Sequence, residues 1–185
     1  DTAAAYSRKI AEILQRLNFQ RNERMIEIAI KRLEISKMLA GSDSNSVVEL
    51  SRNYRRVAEI YRGLKDTVSA EKNILLAIET LGDRNLPEDD FLNFVTASDI
   101  YCDMKNLPVA LDFAFKALAI ADSESLDMIY MKLGNLYIDL KDDAEALNYY
   151  EKSREAQLKR AAPDYGTVAI LDRSLERLRK KLSRE

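Results

Sequence analysis

The chain of 185 residues predicts an all-α fold built from repeated helix–turn–helix units, and three observations carry that expectation. Five Gly and three Pro leave little material for the β-turns of a sheet protein, while 46% apolar and 32% charged residues balance a buried core against a solvated surface. One side-chain pattern occurs three times. The stretches between its copies carry helix-start and turn residues rather than strand signals.

The pattern is an aromatic, a small or aliphatic pair three residues later, a Tyr seven residues after the aromatic, and an Ala nine beyond that Tyr. It reads Tyr54, Val57-Ala58, Tyr61, Ala70, Ile74 and Ala77; then Phe94, Ala97-Ser98, Tyr101, Ala110, Ala114 and Ala117; then Tyr130, Leu133-Gly134, Tyr137 and Ala146, with Tyr150 closing the set. Residues at i, i+3 and i+7 share one helix face, so each aromatic, the pair and the Tyr form one apolar stripe. The Ala then lets a second helix approach.

Taken in order, residues 1–45 read as a degenerate helix pair broken near Asn18–Asn22. Ile10, Ile13, Leu14 and Leu17 stripe its first helix; Met25, Ile26, Ile28, Ile30, Leu33, Ile35 and Leu39 fill its second. Gly41–Ser46 is a loop, and Ser46 with Glu49 has the spacing of a capping box. The repeats are expected at 51–84, 91–124 and 127–160. Their internal turns are Lys65-Asp66-Thr67, Asn106-Leu107-Pro108 and Lys141-Asp142-Asp143, the last with Asp142 as N-cap and Glu145 completing a box. Glu88-Asp89-Asp90 follows Pro87, where carboxylates favour the positive end of a new helix. Gly134 would cost an exposed helix about 1 kcal/mol against Ala, so its place is the crossing of two helices. From Pro163 onward Val168, Leu171, Leu175, Leu178 and Leu182 are spaced 3, 4, 3, 4. That stripe fits a capping helix over 163–185, or the start of a coiled coil that continues in a longer parent or joins two chains in a weak dimer.

The set of repeats resembles the tetratricopeptide repeat, whose unit of about 34 residues is a helix–turn–helix with these residue types at these offsets. The key tyrosines, Tyr61, Tyr101 and Tyr137, lie 40 and 36 residues apart, which is similar to the irregular repeats of bacterial regulators and of kinesin light chains. The extra residues fall at Gly82–Asp90 and Asp122–Asp127, where insertions cost little. The resemblance implies a single domain over 1–185, a right-handed α-solenoid with a C-terminal capping helix. In this family the first helix of each repeat lines a concave groove. Carried onto this sequence, that groove would hold Arg52, Arg55, Glu59 and Arg62; then Leu92, Val95, Asp99, Cys102 and Asp103; then Met128, Met131, Asn135, Ile138 and Asp139. The subclass that grips chaperone C-termini is not matched, because Arg55, Glu59 and Met128 stand where its carboxylate clamp needs Lys, Asn and Lys.

The chemistry-bearing residues are few. There is no His, which removes the commonest general base and metal ligand. No P-loop, dinucleotide fingerprint, nucleophile elbow or Cys/His cluster occurs, so no cofactor, metal or catalytic residue is expected. Cys102 is the single cysteine and cannot form an intrachain disulfide, which fits the cytoplasm and is compatible with a periplasm. Asp103 beside it should raise, not lower, the thiol pKa. With 29 bases against 31 acids the whole chain has no bias toward nucleic acid. Charge is uneven, however. Gly82–Asp103 carries six acids and one base, and Arg173–Glu185 six bases and two acids. Arg177-Leu178-Arg179-Lys180-Lys181 reads as cations at a helix C-terminus, favourable to its dipole. No membrane-spanning run is present. The start at Asp1 without Met and the helix-like ending fit a mature form or a segment of a longer protein. The function expected is a non-catalytic scaffold that binds a partner peptide or helix in the groove. The alternative is a sensory or linker segment of a larger bacterial signalling or transcription regulator.

Overall fold

A computed structural model describes residues 24–39, 44–84 and 86–184. Every described element is a helix, no strand lies among the described residues, and none of the described helices is long and apolar enough to cross a membrane. The contacts divide the chain into two compact units between Thr80 and Leu81.

The first unit holds α1 (24–39), α2 (Ser44–Gly63) and α3 (Thr67–Leu81), apart from Leu81. The Ile10, Ile13, Leu14 and Leu17 stripe lies outside the described residues. In α1 only Leu33 of the expected apolar set is buried and Ile26 is half-buried, while Met25, Ile28, Ile30, Ile35 and Leu39 are exposed. A buried polar bond ties α1 to α2: Asn53 donates from Nδ2 to Ser36 Oγ at 2.6 Å. The second helix begins at Ser44, so Ser46 sits inside its first turn instead of capping it. Tyr54, Val57, Ala58, Ala70, Ile74 and Ala77 are all buried, as the stripe requires, and Ser51 Oγ donates across to the Ala77 carbonyl at 2.8 Å.

The second unit holds α4 (Pro87–Asp103), α5 (Leu107–Ile120), α6 (Leu126–Asp139), α7 (Asp143–Lys159) and α8 (Tyr165–Leu182). Helices α4 and α5 form one hairpin, α6 and α7 the next, with α5 against α6 and α7 against α8. Ala110, Ala114, Ala117, Ile129, Leu133 and Ala146 are fully buried at these contacts. Asp164 caps α8 by accepting from Gly166 N–H at 2.9 Å and Thr167 Oγ1 at 2.8 Å. The apolar stripe of α8 then packs inward, with Leu171, Leu175 and Leu178 in one cluster with Ala146 and Tyr150.

The three hairpin turns are the same structure. Lys65, Lys105 and Lys141 adopt left-handed backbone at φ 65°, 62° and 65°. The following N–H groups of Asp66, Asn106 and Asp142 donate to the carbonyls of Tyr61, Tyr101 and Tyr137 at 3.0, 2.9 and 2.9 Å. This is the Schellman closure of a helix, normally made with Gly. Lys sits at that position in all three turns, where its charge favours the negative helix end. Asp142 then starts α7 by accepting from Glu145 N–H at 3.0 Å, as its spacing predicts, and Asp66 does the same for Ser69 N–H. Asn106 makes no such bond; Pro108 in the first turn of α5 takes over that role.

The second-helix aromatic differs from the expected one. Tyr149, not Tyr150, stacks on Tyr137 (5.4 Å between centroids, planes 6° apart) and lies 6.2 Å from Tyr130. Phe113 occupies the equivalent place, stacked on Tyr101 at 5.5 Å and 6.2 Å from Phe94. Tyr150 turns the other way, across Gly134. A Cβ on Gly134 would lie 2.5 Å from two Tyr150 ring carbons, so the crossing inferred for this glycine is real and the ring of Tyr150 occupies the space of the missing side chain.

Candidate partner-binding groove

The expected groove residues divide between the two units. In the first, Arg52, Arg55 and Arg62 are half-buried and Glu59 exposed along α2; none of the four is without a partner. Glu59 lines a cleft together with Met25, Arg56, Ile60, Gly63 and Leu64. A neighbouring cleft of about 220 Å³ is walled by Met25, Ile28, Arg32, Asn53, Arg56 and Ile60. Arg56, which the groove assignment omits, thus lines both. Its guanidinium donates to Asn53 Oδ1 at 3.1 Å.

In the second unit more of these residues come together. Val95, Asp99 and Cys102 of α4 face Met128, Met131 and Asn135 of α6 across a cleft of about 290 Å³. Ser98, Lys132 and Leu136 complete its walls. Each α4 residue is one or two helical turns from the next, so the 3.6-residue period alone brings them to one face. Lys132 forms an ion pair with Asp99 and bridges the two helices. Leu92 and Met128 line a second cleft of about 470 Å³ nearer the start of α4, with Glu88, Phe91 and Ile120. Asp103 and Ile138 line neither: Asp103 is exposed at the end of α4, and Ile138 packs with Met131 against the α7/α8 cluster.

The cleft is apolar with a polar rim, and its polar groups are held in place. Tyr150 Oη donates to Asn135 Oδ1 at 2.6 Å, and burial pushes the Tyr150 phenol up. Cys102 Sγ donates to Asp139 Oδ2 at 3.6 Å. Burial first, and then that bond and the Asp139 charge, raise its thiol above the ordinary range. Asp103 contributes in the expected direction but least. A raised thiol is a weak nucleophile at neutral pH. Under the cleft floor the Ser98 hydroxyl is fully buried without a hydrogen-bond partner. Lys132 lies between two groove positions of the repeat register, and reaches the cleft on its long stem.

No family model matches the chain, and no curated protein matches it in sequence. Among solved structures, the crystal structure of BtubC (BKLC) from P. vanneervenii superposes with a TM-score of 0.69 at 20% identity, over 86% of this chain and 66% of that one. The chain therefore spans slightly under two thirds of BtubC. The crystal structure of MamA matches at a TM-score of 0.49 and 12% identity, over 87% of this chain and 90% of that one. Identity this low speaks to fold alone. Together with the hairpins and their shared turns, the superposition on BtubC makes the fold all-α, built of tetratricopeptide-like helical repeats.

Proposed function

We propose that the protein is a non-catalytic interaction scaffold whose groove takes a peptide or helix of a protein partner. The carrying observation is the α4/α6 cleft, where Met128 remains 38% exposed beside Met131 and Val95 and next to the Asp99–Lys132 pair. Flexible thioethers on open surface suit a site that adapts to an incoming apolar side chain. Fixed charges at its edge supply orientation. The alternative, a signalling segment acting through a C-terminal heptad helix, has less support, because the apolar stripe of α8 is taken up by α7.

The test is photo-crosslinking with a benzophenone amino acid in place of Met128, or of Lys152 on the outer helix α7. The scaffold reading expects a discrete crosslinked partner from position 128 and none from 152. That product should be suppressed by excess unlabelled protein but not by excess Met131→Asp variant. Equal crosslinking from both positions would refute groove binding.

A further inference from the structure

Two clefts of the second unit meet at one residue. Met128 lines both the α4/α6 cleft and the cleft nearer the start of α4, so together they follow α4 from Glu88 to Cys102. Those residues are 14 positions apart, about 21 Å at about 1.5 Å per residue. That length accommodates about six residues of extended chain. Its middle is apolar: Leu92 and Met128 are exposed, and Val95 and Met131 line the part nearer Cys102. The Ser98 hydroxyl stands in the same wall, fully buried and without a hydrogen-bond partner. An occupant with a polar atom at the tip of its anchoring side chain would give that hydroxyl a bond that it lacks in the free protein.

The charges along this apolar stretch are uneven. At its start Glu88 and Asp122 line the cleft, both exposed, and no Lys or Arg lines that end. Asp122 accepts from Ser125 N–H at 2.9 Å, and Glu88 makes no side-chain hydrogen bond or ion pair among the described residues. In the middle Asp99 and Lys132 neutralise one another. The far end is closer to balance. There Cys102 donates to Asp139, and after burial the charges acting on that thiol are Asp139, Lys105 and Asp103. The nearby Tyr150 phenol, bonded to Asn135, is acted on by Arg177 and Asp139, one of each sign. The negative excess is therefore concentrated beside Met128 and Leu92, at the start of α4.

Resting on the scaffold reading, we propose that the partner segment in this groove is apolar and cationic, with a fixed polarity. One apolar side chain enters between Val95, Met128 and Met131, and a Lys or Arg on the side facing the start of α4 meets Glu88 and Asp122. Carboxylates of one sign at the edge of a cleft attract such a segment and set its direction. An acidic peptide, a nucleic acid and an anionic lipid surface all meet repulsion at the same place. A second copy of the chain is a poorer match, because its basic helix α8 spends Leu171, Leu175 and Leu178 on its own core.

The experiment is an NMR titration of the methionine methyl signals with a short probe peptide carrying two Lys on one side of a Leu pair, otherwise Ser and Gly. The same peptide with Glu for Lys, and with Ser for Leu, serves as comparator. The Lys/Leu peptide should shift Met128 and Met131 and leave Met25 and Met38 of the first unit in place. Its affinity should fall about three- to tenfold when Glu88→Gln is combined with Asp122→Asn, which keeps the oxygen that accepts from Ser125. Asp139→Asn, at the balanced end, should change it less than about twofold. Raised salt should weaken binding to the unaltered protein. If the Glu peptide binds as tightly, or neither salt nor the double variant matters, the cationic assignment is overturned while the Met128 shift leaves groove binding standing. If no peptide shifts Met128 at millimolar concentration the assignment fails, and crosslinking from position 128 decides the scaffold reading separately. Met128 shifts on concentrating the protein alone would give the cleft to a second copy and overturn it too.

Discussion

Adding one methyl group at Gly134 tests the helix crossing directly. A Cβ there would meet Tyr150 Cδ1 and Cε1 at 2.5 Å, against about 3.4 Å for ordinary contact. The ring must therefore retreat by nearly an ångström. Tyr150 is only 8% exposed and its hydroxyl is bonded to Asn135 at 2.6 Å, so retreat also stretches that bond. Overpacking a core costs about 1–3 kcal/mol and loss of the hydrogen bond about 1 kcal/mol more. Better helix propensity returns about 1 kcal/mol. Gly134→Ala should therefore destabilise by roughly 1–3 kcal/mol, and lower Tm by about 2–4 °C for each of those. Urea and thermal denaturation followed by circular dichroism at 222 nm would measure it. Two companions isolate the cause. Gly63→Ala, where an added Cβ meets nothing within 4 Å, should be neutral or stabilise by about 0.5–1 kcal/mol. In a Tyr150→Leu background, Gly134→Ala should lose its penalty. The reasoning is refuted if Gly134→Ala is as stable as the parent, or costs the same with Leu at position 150.

Three further outcomes follow from the same geometry. Ser153→Ala should cost about 0.5–1.5 kcal/mol by removing its 2.7 Å bond to the buried Asp127 carbonyl; hydrogen exchange at the α6/α7 crossing would register it. Asp164 is held below the usual carboxylate range, first by its bond from the Thr167 hydroxyl and then by the Thr167 and Gly166 N–H groups. A depressed folded pKa means its contribution is present above the unfolded value, near 4, and disappears as pH falls through the lower folded value. Fraying of α8 should accordingly increase on acidification below about pH 4, and Asp164→Asn should flatten that response. Cys102 should alkylate slowly at neutral pH, and Asp139→Asn should speed it by removing a negative charge and an acceptor; an unchanged rate would place the cause wholly in burial.

The sequence pattern was most informative where side-chain period and residue size alone decide the outcome. Tyr54, Val57, Ala58, Ala70 and Ile74 are buried because a 3.6-residue stripe and a small residue leave one way to pack two helices. Gly134 was legible for the same reason. Tyr149 and Tyr150 were not separable, since adjacent residues of one type differ only by a 100° rotation about α7, and the repeat offsets do not fix which one faces inward. The exposed set of α1 shows the opposite failure: seven apolar residues between Met25 and Leu39 cover too wide an arc to indicate one buried face. In α4 and α6 the register alone brings Val95, Asp99, Met128, Met131 and Asn135 to one cleft. In α2 the spacing shows the arginines but not that Arg52, Arg55 and Arg62 already have partners. Nor does the composition of the tail distinguish Arg179 and Lys181, which are paired, from Arg177, which is not; only the positions of Glu151 and Asp143 on α7 do so.

The crossings differ between hairpins in a way that limits how this chain can be recombined. In the first, Ser51 on the leading helix donates to Ala77; in the last the donor is Ser153 on the trailing helix, and the acceptor is Asp127, at the equivalent positions. Phe91 and Ala117 fill those places in the middle hairpin without any polar bond between side chains. At the tighter contact the corresponding residues are Ala58 with Ile74, Ser98 with Ala114, and Gly134 with Tyr150. Each pair has divided its volume and its hydrogen bond privately. A chimaera that joined α4 to α7 would set the Cβ of Ser98 where the Tyr150 ring already lies, whereas exchanging a whole hairpin carries both halves of each fit together. The heritable module is thus the hairpin, and a duplicated or transplanted single helix would arrive without its complement.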